Sequence, residues 1–151
     1  MSGGDDADVL RYEALELGQQ LPAVQHEVTQ EVIDRAALAH LDFNPVHTNL
    51  EWSERAQPFG TPKTVAHGMF TMSLMASVIH RAWHAQGAVI RRMDSKFTKP
   101  VPVGQTVRCE GSVTQLHPAG PGRNSVVVHV TARDADGDVV GVGDFRVAVP
   151  D

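Results

Sequence analysis

The sequence predicts an α+β domain in which an antiparallel sheet curls around one long, buried helix. Two observations carry that prediction. Residues 65–85 place Val65, Met69, Phe70, Met72, Leu74, Met75, Val78, Ile79 and Trp83 so closely that few polar positions remain on any face. A helix of roughly 18 such residues is about 27 Å long and has to be wrapped by protein. The second observation is the C-terminal half, where runs of alternating polarity are separated by short turns, the pattern of strands joined by hairpins. A long apolar helix ahead of such a sheet gives the layered arrangement.

The elements follow in chain order. Residues 1–8 are small and acidic and are read as a disordered tail, leaving residues 9–151 as one domain. Residues 12–22 wrap the domain and end in turn chemistry at Pro22, and a short strand is expected over residues 23–28. Thr29 is a candidate N-cap, with Glu31 in the first turn and Val32, Ile33, Ala36 and Ala37 at helical spacing, so a helix is expected over residues 30–40. Pro45 fixes its own φ and pushes Asn44 out of the helical region, so residues 41–47 are expected to form an extended or turning loop. Residues 48–57 are of mixed polarity, and residues 58–62 form a loop with Pro and Gly punctuation. After the long helix, residues 88–98 alternate with Val89, Arg91, Met93, Ser95 and Phe97 on one face. Residues 106–114 set Val107, Cys109, Gly111 and Val113 inward. Strands over residues 125–133 and 139–149 flank an Asp-Gly hairpin turn at residues 135–138.

Composition narrows the function classes. The 151 residues suit a single core. With a formal net charge of −5, the chain is not built to coat nucleic acid. Its one cysteine, Cys109, cannot form an internal disulfide and reads as a small core residue. The first residues lack the basic and apolar regions of a signal peptide, and no apolar run reaches membrane-spanning length, so a cytoplasmic location is the expectation.

Chemistry concentrates at Asp42-Phe43-Asn44-Pro45-Val46-His47. A carboxylate and an imidazole five positions apart across a turning Asn-Pro step can face one water, the requirement of a proton-transfer site. The alternative for the spacing alone is an Asx-type turn with a surface histidine. Gly68, near the start of the long helix, offers a backbone amide without an intrahelical partner and no side chain to block approach.

Two phrases resemble the MaoC-like, or hydratase 2, family: the D-x-N-P-x-H run of residues 42–47 and Val65-Ala66-His67-Gly68-Met69 at the helix entry. A third, Phe97-Thr98-Lys99-Pro100-Val101-Pro102-Val103-Gly104, is similar to the strand-and-turn phrase common in hot dog domains. The resemblance spans residues 12–149 and implies a single hot dog fold. It also implies reversible hydration of a trans-2-enoyl thioester to the (3R)-hydroxyacyl thioester. Asp42 would act as base on water, His47 would orient it and relay the proton, and the Gly68 amide would hold the oxyanion. Asn44, His67, Arg91, Arg92 and Lys96 are candidate substrate-binding residues. These three cations and Lys99 form the most basic stretch, which would pair with phosphates of coenzyme A or an acyl carrier's phosphopantetheine, or alternatively form a solvated strand face. His67 has a structural hydrogen bond as its other reading. No metal or redox cofactor is expected, since His80 and His84 stand four apart without an intervening glutamate. The resemblance further implies a homodimer, or a heterodimer with a second hot dog chain, with the site between protomers. An acyl thioesterase and a non-catalytic acyl-binding subunit are the rival readings. The chain departs from the family in having His40-Leu41 where Ser-Gly is usual before the aspartate.

Overall fold

The structure, a computed structural model, describes residues 9–151; the expected tail over residues 1–8 lies outside the described residues. Three early helices, α1 (Gln30–His40), α2 (Pro45–Thr48) and α3 (Leu50–Ala56), precede the long helix α4 (Gly68–Trp83). The strands are β1 (Gln20–Glu27), β2 (Val89–Phe97), β3 (Thr106–His117), β4 (Ser125–Arg133) and β5 (Val139–Ala148). They form one antiparallel sheet in the order β1-β3-β4-β5-β2.

The sheet closes on α4 because alternate residues of its central strands are apolar. Val126, Val128, Val130 and Ala132 of β4 and Phe145 and Val147 of β5 are fully buried, and they share one core with Leu74, Met75, Val78 and Ile79. Close approach of helix and sheet depends on missing side chains. A Cβ on Gly111 would lie 3.0 Å from Val78 Cγ1, and one on Gly141 would lie 3.2 Å from Thr71 Cγ2. Cys109 is buried in this core, and burial pushes its thiol up to about 12, which keeps it protonated.

Among the differences from the expectation, three shape the sheet and the approach to α4. Strand β1 starts at Gln20 and runs through Pro22. It is a sheet edge with a register shift between Leu21 and Val24, so a residue without an N–H is tolerated there. Helix α4 begins at Gly68 rather than residue 65. Val65 instead makes an antiparallel bridge with Pro102, and the Ala66 amide donates to the Val101 carbonyl at 2.8 Å, so the approach to the helix is held extended. On β2 the register shifts between Ile90 and Arg92, so Ile90 replaces Arg91 on the face that carries Met93, Ser95 and Phe97 towards α4. Among the described residues no helix is long and apolar enough to cross a membrane.

One ionic clamp joins the β4–β5 hairpin to the segment after β2. Lys99 Nζ lies 2.8 Å from Asp134 Oδ2 and 2.7 Å from Asp138 Oδ2, and Asp134 Oδ1 accepts the amides of Asp136 and Asp138 at 3.0 Å each. Burial opposes ionisation of Asp134, but the Lys99 hydrogen bond and the two amides outweigh it and hold its carboxyl below the usual range. A native pKa below the unfolded one means stabilisation that is present above the ordinary carboxylate range and lost as pH falls through the native value. Asp134→Ala is therefore expected to lower stability by roughly 1–3 kcal/mol at neutral pH, by stranding its amide partners. In urea denaturation the gap to wild type should narrow below about pH 4.

Candidate active site

The site is assembled by the ends of short helices. Thr29 Oγ1 accepts the Val32 amide at 3.2 Å and starts α1, whose Ile33, Ala36 and Ala37 are buried. The helix stops at Leu41, which takes the left-handed conformation (φ 54°, ψ 36°), and the Asp42 amide bonds back to the Ala37 carbonyl at 3.0 Å. A glycine fills such a position without the Cβ penalty. The usual Ser-Gly is thus replaced at a position where the backbone still turns as a glycine would turn it.

Asp42 Oδ1 accepts the Asn44 amide at 3.2 Å, an Asx turn, and Asn44 Oδ1 accepts the Val46 amide at 3.1 Å. Asn44 is thereby the N-cap of α2, with Pro45 in its first turn. The expected loop is therefore only half loop: Pro45 excludes helix for Asn44 and starts one immediately after it. His47 projects from this single helical turn. Its Nδ1 lies 2.7 Å from the Val65 carbonyl, which can only accept, so Nδ1 carries the proton and Nε2 is left as a lone pair. Gln30 fastens the turn by donating Nε2 to the His47 carbonyl at 2.9 Å, and its Oε1 accepts from Thr64 Oγ1.

His47 Nε2 and Asp42 Oδ2 stand 3.8 Å apart. That is too long for a direct hydrogen bond and short enough for one water to touch both. The imidazole is mostly buried while the carboxylate is half exposed. Burial lowers the His47 pKa, and neighbouring His67 lowers it further; the Val65 carbonyl and Asp42 oppose the shift without cancelling it. His47 is consequently a neutral imidazole at neutral pH, with its free nitrogen turned to the carboxylate.

His67 is 3% exposed and sits under this pair. Its ring stacks on His47 with centroids 3.8 Å apart and planes at 28°, its Nε2 donates to the Asp42 carbonyl at 3.0 Å, and His40 meets it edge-on at 5.7 Å. Asp42, His47 and His67 offer one donor atom each within 4.8 Å of one another. Nearly parallel stacked rings aim their in-plane lone pairs side by side rather than at a common ion. The trio suits positioning better than metal ligation.

Next to His47 opens a cavity of about 350 Å³ whose wall includes Gly68, Thr71, Phe59, Phe97 and Lys99. Gly68 opens α4, and no described residue accepts from its amide. A Cβ there would lie 2.7 Å from the Phe97 ring. The structure therefore sets His47 and Gly68 on one cavity wall and Asp42 against His47, with Asn44 as a cap and His67 as a support rather than a cavity wall.

It does not bring Arg91, Arg92 or Lys96 to this cavity. Because Met93 and Phe97 face α4, alternation turns residues 92, 94 and 96 to the outer face of the sheet. There Arg92 pairs with Asp94 at 2.7 Å, Lys96 lines a separate depression with Asp94, His129 and Asp144, and Arg91 is exposed at the register shift. The cation on the cavity wall is Lys99, held by its two aspartates. Sequence reasoning missed Gln30 and Thr71. Only the second left a signal, a hydroxyl in a mostly apolar stretch, and Ser73 and Ser77 share it.

Comparison with known proteins adds the following. The family model described as "MaoC like domain" matches residues 14–136. A "3-hydroxyacyl-thioester dehydratase Z" of Mycobacterium tuberculosis is 32% identical over 108 residues, covering 69% of this chain and 70% of that protein. An "(R)-specific enoyl-CoA hydratase" of Rhodospirillum rubrum is 28% identical over 146 residues, 97% of this chain and 96% of its own length. Among solved structures, the (R)-hydratase from A. caviae involved in PHA biosynthesis superposes with a TM-score of 0.80 at 23% identity, covering 91% of this chain and 99% of that one.

Proposed function

The chain belongs to the MaoC-like domain family, and on that premise we propose that it hydrates trans-2-enoyl thioesters to (3R)-hydroxyacyl thioesters and runs the reverse dehydration. The observation that carries the reading is the Asp42–His47 pair, 3.8 Å apart, with His47 on the wall of a cavity that Gly68 also lines.

Adding water to a conjugated thioester puts hydroxyl on the β-carbon and a proton on the α-carbon, and negative charge gathers on the thioester oxygen between the two events. With Nδ1–H committed to Val65, His47 meets the water through its Nε2 lone pair, and Asp42 meets it through a carboxylate oxygen. A water that donates one hydrogen to each acceptor presents its own lone pair to the substrate, which is the orientation a nucleophile needs. As the bond to the β-carbon forms, one acceptor takes the water's proton, and the pair then supplies a proton to the α-carbon. The Gly68 amide, at the positive end of the α4 dipole, receives the oxygen that becomes negative. No electrons are transferred, so the reaction calls for no redox cofactor. A coenzyme A or carrier-protein thioester is the substrate carrier.

A dimer, with itself or with a second chain of the same fold, is part of the proposal. The free edge of β2 supports it, since its Val89, Met93 and Phe97 remain exposed, as does Met69 of α4.

Because His47 is active as a base when neutral and its pKa is lowered, activity should persist as pH falls below the ordinary histidine value of about 6.5 and fail only through the lower, native value. A kcat/KM profile whose acid limb lies above 6.5 would contradict that assignment. The function itself is tested by supplying a trans-2-enoyl-CoA. The expected product is (3R)-hydroxyacyl-CoA with no free thiol. Thiol release without a hydroxyacyl product would identify a thioesterase instead.

A further inference from the structure

Three hydroxyl side chains lie on α4, and one of them is unlike the others. Ser73 Oγ donates to the Met69 carbonyl at 2.8 Å and Ser77 Oγ to the Leu74 carbonyl at 2.6 Å, so both are satisfied within the helix. Thr71 is 4% exposed, yet no described residue partners its hydroxyl. Its methyl is spent on packing, with Cγ2 3.2 Å from the place a Cβ would occupy on Gly141 of β5. Among the described residues, the side-chain polar atoms sealed without a partner are His40 Nδ1, Ser53 Oγ, His67 Nδ1 and Ser95 Oγ. Thr71 Oγ1 is not one of them. The little surface Thr71 retains therefore includes its oxygen, on the cavity whose wall it shares with Gly68 and His47.

Helix geometry fixes where that oxygen can act. Side chains lean towards the helix N-terminus, so the residue at i+3 lies over the residue at i. Thr71 accordingly stands over Gly68, whose amide is the first of α4. A hydroxyl in an apolar wall without a protein partner is costly unless something fills its hydrogen bond.

We propose that Thr71 Oγ1–H is a second donor to the thioester oxygen held by the Gly68 amide. This rests on the hydratase reading above and extends it from one oxyanion donor to two. The hydroxyl rotates, so it can follow the oxygen as charge develops, whereas the amide is fixed by the helix. The hydrogen bond strengthens as the oxygen gains charge, and its loss falls on kcat more than on KM.

The test compares wild type with Thr71→Val, which keeps the methyl contact and deletes the donor, and Thr71→Ser, which keeps the donor. Each is assayed for trans-2-enoyl-CoA hydration. Each is also bound to a saturated acyl-CoA carrying a ¹³C-labelled thioester carbonyl, whose infrared stretch reports hydrogen bonding to that oxygen. Thr71→Val should lose about tenfold in kcat with little change in KM, the size of one hydrogen bond, and should raise the bound carbonyl frequency. Thr71→Ser should restore both. Wild-type kcat and an unmoved carbonyl band in Thr71→Val would overturn the proposal, as would a loss of kcat without a carbonyl shift and without rescue by serine, which is a packing effect. A wild-type protein unable to hydrate the substrate would overturn the parent reading, and the donor assignment with it.

Discussion

His47→Ala and Asp42→Asn are each expected to lower kcat for hydration of a trans-2-enoyl-CoA by at least about 100-fold, with the far-ultraviolet spectrum unchanged. The expectation follows from what each substitution leaves behind. Asn at position 42 keeps an oxygen for the Asn44 amide, so the Asx turn survives, but it removes the negative charge and the proton acceptor at Oδ2. Ala at position 47 deletes the Nε2 lone pair and the bond to the Val65 carbonyl, while α2 keeps its Asn44 cap and the backbone bond between Val65 and Val46. The double variant should be little worse than either single one, because two acceptors that hold one water act as a unit. Independent, multiplicative losses would mean that the two residues serve different molecules.

Removing the Gly68 donor has the next largest effect, and the geometry permits an unusually clean experiment. His67, the residue before Gly68, has φ −64° and ψ 145°, a conformation that a following proline accepts, and proline is well tolerated at the first position of a helix. Gly68→Pro therefore deletes the N–H with α4 kept in place. Any side chain at position 68 meets the Phe97 ring, so the comparison belongs in a Phe97→Ala background, where Gly68→Ala controls for the added Cβ. In that background the proline variant should be about 10²- to 10³-fold slower in kcat than the alanine variant, roughly 3 to 4 kcal/mol of transition-state stabilisation. Equal rates for the two would remove the amide from the mechanism.

How far the sequence alone reaches depends on where each determinant lies. Helix α1 was legible to its ends because Thr29 caps it and Ile33, Ala36 and Ala37 repeat at helical spacing, all within one short stretch. Strands β3, β4 and β5 were legible because alternate residues enter a single core. The start of α4 was not, since Val65 and Ala66 are as apolar as the helix and are held extended only by Pro102 and Val101, distant in sequence. Of the basic residues on β2, Arg92 and Lys96 lie on the solvated strand face that was one of their two readings, and only Arg91 was put on the wrong face, because one register shift beside it decides which side chains reach α4. Pro22 read as a stop, although an edge strand with a shifted register can carry it.

At the site, Asp42, His47 and Gly68 could be picked out by their residue types and phrases. The proton position on His47 could not, because the Val65 carbonyl sets it from 18 residues away. The stacking of His67 on His47 and the opening of Thr71 to the cavity are likewise products of packing between elements. His67 was legible as a member of the site and, in its other reading, as a structural hydrogen-bonding residue, whereas Asn44 was not legible as a cap.

The central claim is that Asp42 and His47 hold one oxygen while the Gly68 amide holds another on the same substrate. A crystal structure of the protein with a bound (3R)-hydroxyacyl-CoA tests it most directly. The account predicts the 3-hydroxyl oxygen within hydrogen-bond distance of both Asp42 Oδ2 and His47 Nε2, with the thioester oxygen on the Gly68 N–H. A ligand whose hydroxyl lies away from that pair, or whose thioester oxygen is held elsewhere, would contradict it.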